Sequence, residues 1–338
     1  MKRVLNFVSP GITVSIMAVV FGAFYVSCKK VENPIKYKRG IFNDSVTVAL
    51  DGINSAYDDY NMSLYTLEGS DILVFSSNRN SAGGQFDLVQ GRLTYCFDQT
   101  NGLFNLEANI HNDPFTSSLI EKANTMGEDL GPNRFFSSVD GYEYLILSSE
   151  TENGDLDMFY LKNMPAYGTA IPEIIGPNPV TRLNTTANEG YFSFNFARDT
   201  AYFCSDIDGN FNIYMIKYDE KSSISSWLES DYETPIKVDS VNSDYNDKTP
   251  FVYYRAMVFS SDRPGGIGGY DLYYSIFKDG NWGAPINFGP SVNTEYNEYR
   301  PVIGFNSSYT NKFMIFSSDR PGGKGGYDLY FRGVSFDY

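Results

Sequence analysis

The sequence predicts an all-β chain, a five-bladed β-propeller in which an N-terminal strand closes the last blade. Three observations predict it. A segment with Asn at its second position, Ser or Thr next and a carboxylate at its seventh recurs as INSAYDD (Ile53–Asp59), ANTMGED (Ala123–Asp129), LNTTANE (Leu183–Glu189), VNSDYND (Val241–Asp247) and VNTEYNE (Val292–Glu298). Each is followed by an apolar run ending in a polar turn: ILVFSSN at Ile72, YLILSSE at Tyr144, AYFCSD at Ala201, MVFSSD at Met257 and MIFSSD at Met314. Each turn leads to a third signal, FDLV at Phe86, LDMF at Leu156, FNIY at Phe211 and YDLY at both Tyr270 and Tyr327. Three signals in one order, five times over, define a repeat of roughly 50–70 residues, the size of a propeller blade.

Taken from the start, Met1–Ser27 reads as a lipoprotein signal peptide. Lys2 and Arg3 give a positive start, Ile12–Val26 is almost wholly apolar, and YVSC ends at Cys28. The apolar run is short for a spanning helix, which needs about 20 residues. A small residue before Cys resembles a bacterial lipobox, with Tyr25 where Leu is usual. That resemblance implies lipidation at Cys28, and the competing reading is an uncleaved N-terminal anchor. Residues 28–40 read as a membrane tether, since KKVENPIKYKRG (Lys29–Gly40) sets five basic residues against one Glu. Residues 41–338 then form the propeller.

Within each repeat, short runs apolar at successive positions are strands buried on both faces. In the last repeat RPVIGF (Arg300–Phe305) is the inner strand A, the FSSD run is B and YDLY begins C. APINF (Ala284–Phe288) supplies strand D to the blade before. After Asp328 too little chain remains for a strand D, whereas SVTVAL (Ser45–Leu50) precedes the first Asn segment with no blade ahead of it. Pairing Ser45–Leu50 with Tyr327–Arg332 closes the ring and removes a free sheet edge.

Composition limits the function. The 338 residues carry a net charge of −15, which repels nucleic acid phosphates, so no nucleic-acid partner is expected. Cys96 and Cys204 fall on different, non-adjacent repeats and read as small buried hydrophobes. No Cys/His cluster suggests a metal, and no cofactor motif survives inspection. RPGGIGG looks like a phosphate loop but joins strand to strand instead of opening a helix, so it reads as a hairpin turn.

The segments Ser261–Tyr273 and Ser318–Tyr330 resemble the TolB-type, WD-like propeller repeat of Gram-negative envelope proteins: an apolar strand, Ser-Asp-Arg, Gly-Gly, then Tyr-Asp-Leu-Tyr. Asn78–Leu88 match in part, while Glu150–Phe159 and Asp206–Tyr214 lack the Arg-Pro-Gly-Gly segment. The resemblance is specific for the fold. With the Cys28 segment and the basic residues after it, the expectation is an outer-membrane lipoprotein on the periplasmic face, non-catalytic, that binds or scaffolds an envelope protein or a glycan.

Candidate residues follow from position in the repeat. Arg263, Tyr270, Arg320 and Tyr327 share the face of the D–A and B–C connections and form the candidate binding face. The competing reading pairs each Arg with a carboxylate such as Glu298 or Asp59 across blades. Asn54, Asn184, Asn242, Asn293, Glu298, Asp271 and Asp328 recur and read as structural. The alternative function is a five-bladed propeller glycoside hydrolase, which needs acid/base carboxylates. Asp87, Asp157, Asp271 and Asp328 recur blade after blade, whereas catalytic acids should be singular; Asp140 and Glu143 are singular but unmarked. The lone His111 has no nucleophile partner. Trp282 reads as packing and Trp227, within the polar KSSISSWLESDYE, as exposed.

Overall fold

The computed structural model describes residues 35–67, 70–163 and 173–336. Five antiparallel sheets stand around an axis. Blade 1 has strands A to D at Asp59–Leu67, Ser70–Ser77, Asp87–Phe97 and Phe104–Ile110. Blade 2 has Asp129–Phe136, Glu143–Glu150, Leu156–Asn163 and Ile174–Pro179. Blade 3 has Glu189–Phe194, Thr200–Ser205, Asn212–Lys217 and Ile236–Lys237. In blade 4, Asp247–Tyr253, Ala256–Ser261 and Asp271–Lys278 are followed by an outer strand broken into Asn281–Trp282 and Ile286–Asn287. Blade 5 has Glu298–Gly304, Lys312–Ser318 and Asp328–Val334. Its fourth strand is Val48–Ala49, with Val48 opposite Phe331 and Ala49 opposite Tyr330. The closure expected from the orphan N-terminal strand is the one found.

The strands are apolar on both sides because both sides are covered. One hydrophobic cluster fills each of the five seams between neighbouring blades. The seam between blades 5 and 1 centres on Phe42, fully buried, stacked on Tyr309 at 3.8 Å and edge-on to Tyr95, Phe104, Phe313 and Phe331.

The recurrent Asn residues register the seams. Asn54 accepts from the Leu329 N–H at 2.9 Å and donates to its carbonyl at 3.0 Å. Asn124 does the same to Leu88, Asn184 to Met158, Asn242 to Ile213 and Asn293 to Leu272. Each amide therefore satisfies both backbone groups of one strand-C residue in the preceding blade. Asp271 and Asp328 hold the glycine-rich turns, accepting from Ile267 and Gly268, and from Lys324 and Gly325. In those turns Gly265 and Gly322 take φ of 88° and 95°. Gly268 and Gly325 answer a different need, since a Cβ there meets the carbonyl oxygens of Tyr296 and Tyr57 at 2.1 and 1.9 Å. The Gly-rich loop is thus a turn that presses against the next blade.

Several local expectations change. Trp227 is buried, because Ser223 caps a short helix, Ile224–Leu228, that turns it into the seam of blades 2 and 3. Cys96 is exposed, near the outer end of a strand C longer than the repeat suggested; Cys204 is buried. The chain between blades 1 and 2 forms strand D and a helix, Pro114–Ala123, capped by Asp113, and His111 lies between them, half-buried. Residues 35–40 lie against the propeller: the N–H groups of Lys36 and Tyr37 donate to Gln99 O, and Gly40 bridges to Tyr309. Cys28 is outside the described residues.

Deleting Ile41–Gly52 removes Phe42 and the closing strand together. The deletion variant should melt well below the full chain in a thermal scan, and an unchanged melting temperature would refute the closure. Asn54→Ala, which loses two seam hydrogen bonds and leaves the Leu329 N–H unpaired while its carbonyl keeps the bond from Leu50, should cost about 1–3 kcal/mol in denaturant unfolding.

Candidate functional site

Every strand A begins with a buried carboxylate: Asp59, Asp129, Glu189, Asp247 and Glu298. Each accepts from the N–H of the Ser or Thr four residues earlier. In blades 1, 4 and 5 a guanidinium completes the set. Arg79 binds Asp59, Arg263 binds Asp247 and Arg320 binds Glu298, the last at 2.9 Å. Each also reaches its turn Ser through Nε at 2.9–3.0 Å and the carbonyl just before the seam Asn through Nη2 at 2.6–2.8 Å. The pairs form within one blade, because the Arg lies in the B–C turn beside its own strand A; the expectation of a bond across blades is corrected. Two members of the candidate binding face, Arg263 and Arg320, spend their guanidiniums on these contacts.

Blades 2 and 3 have Thr151 and Ile207 where the others have Arg. Their carboxylates therefore have no ion pair among the described residues. Burial pushes Asp129 up to about 6, against the relief of hydrogen bonds from Ser149 and Thr125. Burial raises Glu189 as well, with Asp157 adding to the rise. Asp157 is itself pushed up to about 6, first by burial and then by the charge of Asp155. Its Oδ1 is buried without a hydrogen-bond partner. Asp155 accepts from the Thr151 hydroxyl.

The residue between those two acids, Leu156, belongs to a ring at the mouth of the axis. Phe86, Phe211, Tyr270 and Tyr327 occupy the same place in the other blades, all half-buried. They are held there because their carbonyls accept from the first N–H of the next strand A: Phe86 from Asp129, Phe211 from Asp247, Tyr270 from Glu298 and Tyr327 from Asp59. Tyr60 meets Phe86 and Tyr327 at 4.7 and 5.7 Å, and Tyr299 meets Tyr270 at 5.4 Å. The Lys248 ammonium lies 3.9 Å from the Phe211 ring centre. Burial raises the hydroxyls of Tyr270 and Tyr327, the latter to about 12. So Tyr270 and Tyr327 come together in one mouth, while Arg263 and Arg320 face the blade bodies.

Below the mouth each strand A carries a bulge with a left-handed residue: Asn61, Gly131, Tyr191, Thr249 and Arg300, at φ of 47–61°. Contacts between non-adjacent blades show that these side chains fill the axis. The Asn61 amide donates to Tyr191 Oη at 3.3 Å, and Arg300 Nη2 donates to Pro132 O at 3.3 Å. No residue type announces this bulge, since four of its five residues are not glycine. Asp140 and Glu143 lie away from the mouth: Asp140 accepts from the Tyr144 hydroxyl and Glu143 pairs with Arg134. Asp155 is not among the acids singled out from the sequence. The signal that could have found it is the repeat itself, for Gln85, Asn210, Gly269 and Gly326 stand in its place elsewhere.

No family model and no curated protein matches the chain. Solved structures do. A thermostable family-43 glycoside hydrolase is 14% identical over 89% of this chain and 94% of its own, with a TM-score of 0.54. The endo-arabinase of Bacteroides thetaiotaomicron is 12% identical over 87% of this chain and 99% of its own, at 0.53. The catalytic domain of a Coprinopsis cinerea GH62 α-L-arabinofuranosidase is 12% identical over 88% and 98%, also at 0.53. At these identities the likeness establishes the propeller fold. It overturns the TolB-type assignment, because the matching propellers are named glycoside hydrolases. The Ser-Asp-Arg-Gly-Gly segment behind that assignment is a turn that neutralises a buried acid, a device any propeller can use. The non-catalytic reading as a protein-binding scaffold, which rested on the lack of a singular, marked acid, is overturned by the same neighbours.

Asp129 allows a test of its unpaired burial. An acid whose folded pKa, about 6, lies above its unfolded value, about 3.9, keeps its proton longer when folded. Its contribution to stability is therefore full below about pH 4 and is lost as pH rises to about 6. Asp129→Asn cannot titrate. Its unfolding free energy relative to wild type should rise by about 2–3 kcal/mol from pH 4 to pH 7. A difference that stays flat with pH would contradict the assignment.

Proposed function

We propose that the chain is a glycoside hydrolase that takes a glycan at the aromatic mouth and uses the acids of blade 2. One observation carries the reading: blade 2 alone sets two carboxylates, Asp155 and Asp157, on either side of a mouth residue, with Asp157 pushed up to about 6 and one of its oxygens unengaged. Residues two apart in an extended chain lie about 7 Å apart. Glycosidic hydrolysis requires one carboxyl that keeps a proton near neutrality and a second that stays ionised, roughly 5–9.5 Å away. In this reading Asp157 protonates the leaving oxygen as the glycosidic bond breaks. Asp155 takes the proton of the water that attacks the anomeric carbon, so the products are two free sugars. The half-buried rings of Phe86, Phe211, Tyr270 and Tyr327 offer flat apolar faces for sugar C–H groups. The fold shared with an arabinase and an arabinofuranosidase supports the same class.

The test is release of reducing sugar from arabinan, xylan, a uronic-acid-containing polysaccharide and aryl glycosides by the purified chain. Asp157→Asn and Asp155→Asn should each lower kcat/KM by about 10²–10⁴-fold. Wild-type activity should fall as pH rises through about 6, where Asp157 ionises. Absence of turnover on the whole panel would end the proposal.

For location we infer an outer-membrane lipoprotein facing the periplasm, from the Lys2, Arg3, Ile12–Val26 and Cys28 pattern. Cys28→Ala should then move the protein from the membrane to the soluble fraction, and a variant that stays with the membrane would refute the anchor.

A further inference from the structure

The centre of this acidic protein holds two cations with no carboxylate partner among the described residues. Arg79, Arg134, Arg263 and Arg320 each have an acid. Arg300 has none. It is 1% exposed, its Nη2 makes one long bond to a carbonyl, and its Nε and Nη1 are buried without a partner. Its guanidinium lies 5.5 Å from the Tyr191 ring centre, and burial lowers its pKa to about 10. Lys248, from the neighbouring blade, makes no ion pair among the described residues: its ammonium lies over Phe211 at 3.9 Å and Tyr270 at 5.7 Å, and the charges of Asp262 and Asp206 act on it from further off.

A buried guanidinium left uncompensated is strongly unfavourable, and an apolar side chain of similar volume would cost the fold less. Around it stand further polar groups: the unpartnered Oδ1 of Asn61 and the Tyr191 hydroxyl, which hydrogen-bonds with Tyr299. Fixed donors with positive charge beside the half-buried aromatic residues of the mouth match the chemistry of a sugar ring that carries a carboxylate. The aromatic faces take the ring and the cations take the charge. The net charge of −15 repels anions at long range, so the preference has to be built locally, as it is here.

We propose that the mouth of the propeller, lined by Lys248 and backed by Arg300, is a carboxylate site, and that its ligand is a uronic acid residue of an acidic glycan. The glycan part rests on the hydrolase reading; the carboxylate part rests on Arg300 and Lys248 alone.

Calorimetric titration of the full chain with D-galacturonate and D-glucuronate, beside D-galactose, D-glucose and acetate at fixed ionic strength, tests it. Uronates should bind at least tenfold more tightly than the neutral sugars and than acetate. Arg300→Met should lose that preference while melting no lower than wild type. Should Arg300→Met fail to fold, Lys248→Met, altered at the half-buried mouth, must weaken uronate binding by several-fold. Equal binding of uronates and neutral sugars overturns the site, as does binding unaffected by the variants. Acetate binding as tightly as uronate overturns the sugar ligand. Uronate binding without any hydrolysis removes the hydrolase reading and leaves the site standing; hydrolysis of neutral glycans without uronate binding does the reverse.

Discussion

The seam amide is the interaction on which the ring depends. One Asn per blade pairs with both the N–H and the C=O of a single strand-C residue in the blade before it, and it does so at all five seams. The hydrophobic clusters supply most of the energy, at about 1.5–3 kcal/mol for each large side chain buried, but apolar contact has no direction. Two hydrogen bonds at about 1 kcal/mol each contribute less and fix the register. Aspartate cannot donate and glutamine is one methylene too long, so the side chain is specified. The same device recurs outside the repeat: Asn311 clasps both backbone groups of Phe42, seating the N-terminal arm on blade 5.

Against this common frame the blades differ in how they treat the acid at the head of strand A. Blades 1, 4 and 5 neutralise it with an arginine that also braces the B–C turn and the seam segment. Blades 2 and 3 leave it to hydroxyls and N–H groups, which lower a carboxylate's pKa less than burial raises it. Asp155, in the B–C turn, and Asp157, at the start of strand C, lie in a blade where that brace is missing. In the other three blades the arginine at the position of Thr151 pairs with the strand-A acid, and it is burial, with the charge of Asp155, that raises Asp157.

Much of this was legible because a repeat writes each rule five times. The strands, the seam Asn residues and the ring closure all followed from comparing one copy with another, and the orphan Ser45–Leu50 pointed to its partner. What was not legible had no second copy or no local signature. The burial of Trp227 depends on a helix that occurs once. The direction of the Arg pairs depends on which strand the turn folds over, and neighbouring blades offer the same acid. The left-handed bulge falls on Asn, Gly, Tyr, Thr and Arg, so no residue type announces it, and Arg300 read as the mere start of a strand. The departures of blades 2 and 3 were visible as missing Arg-Pro-Gly-Gly segments. They read as a weaker match to the repeat, although a missing counter-charge is where an acid is free to act.

The bulge explains where chemistry can occur in this molecule. In each strand A the first residue is an acid turned into the blade, bonded to its own Ser or Thr and buried. The next two, one of them left-handed, are Tyr60 and Asn61, Leu130 and Gly131, Gly190 and Tyr191, Lys248 and Thr249, and Tyr299 and Arg300. No carboxylate is among them. The inner strands thus direct acids away from the axis and leave it to aromatic rings and two cations. An acid that acts on something bound at the mouth must therefore come from beyond the inner strands: Asp155 stands on the B–C connection of blade 2 and Asp157 is the second residue of its strand C.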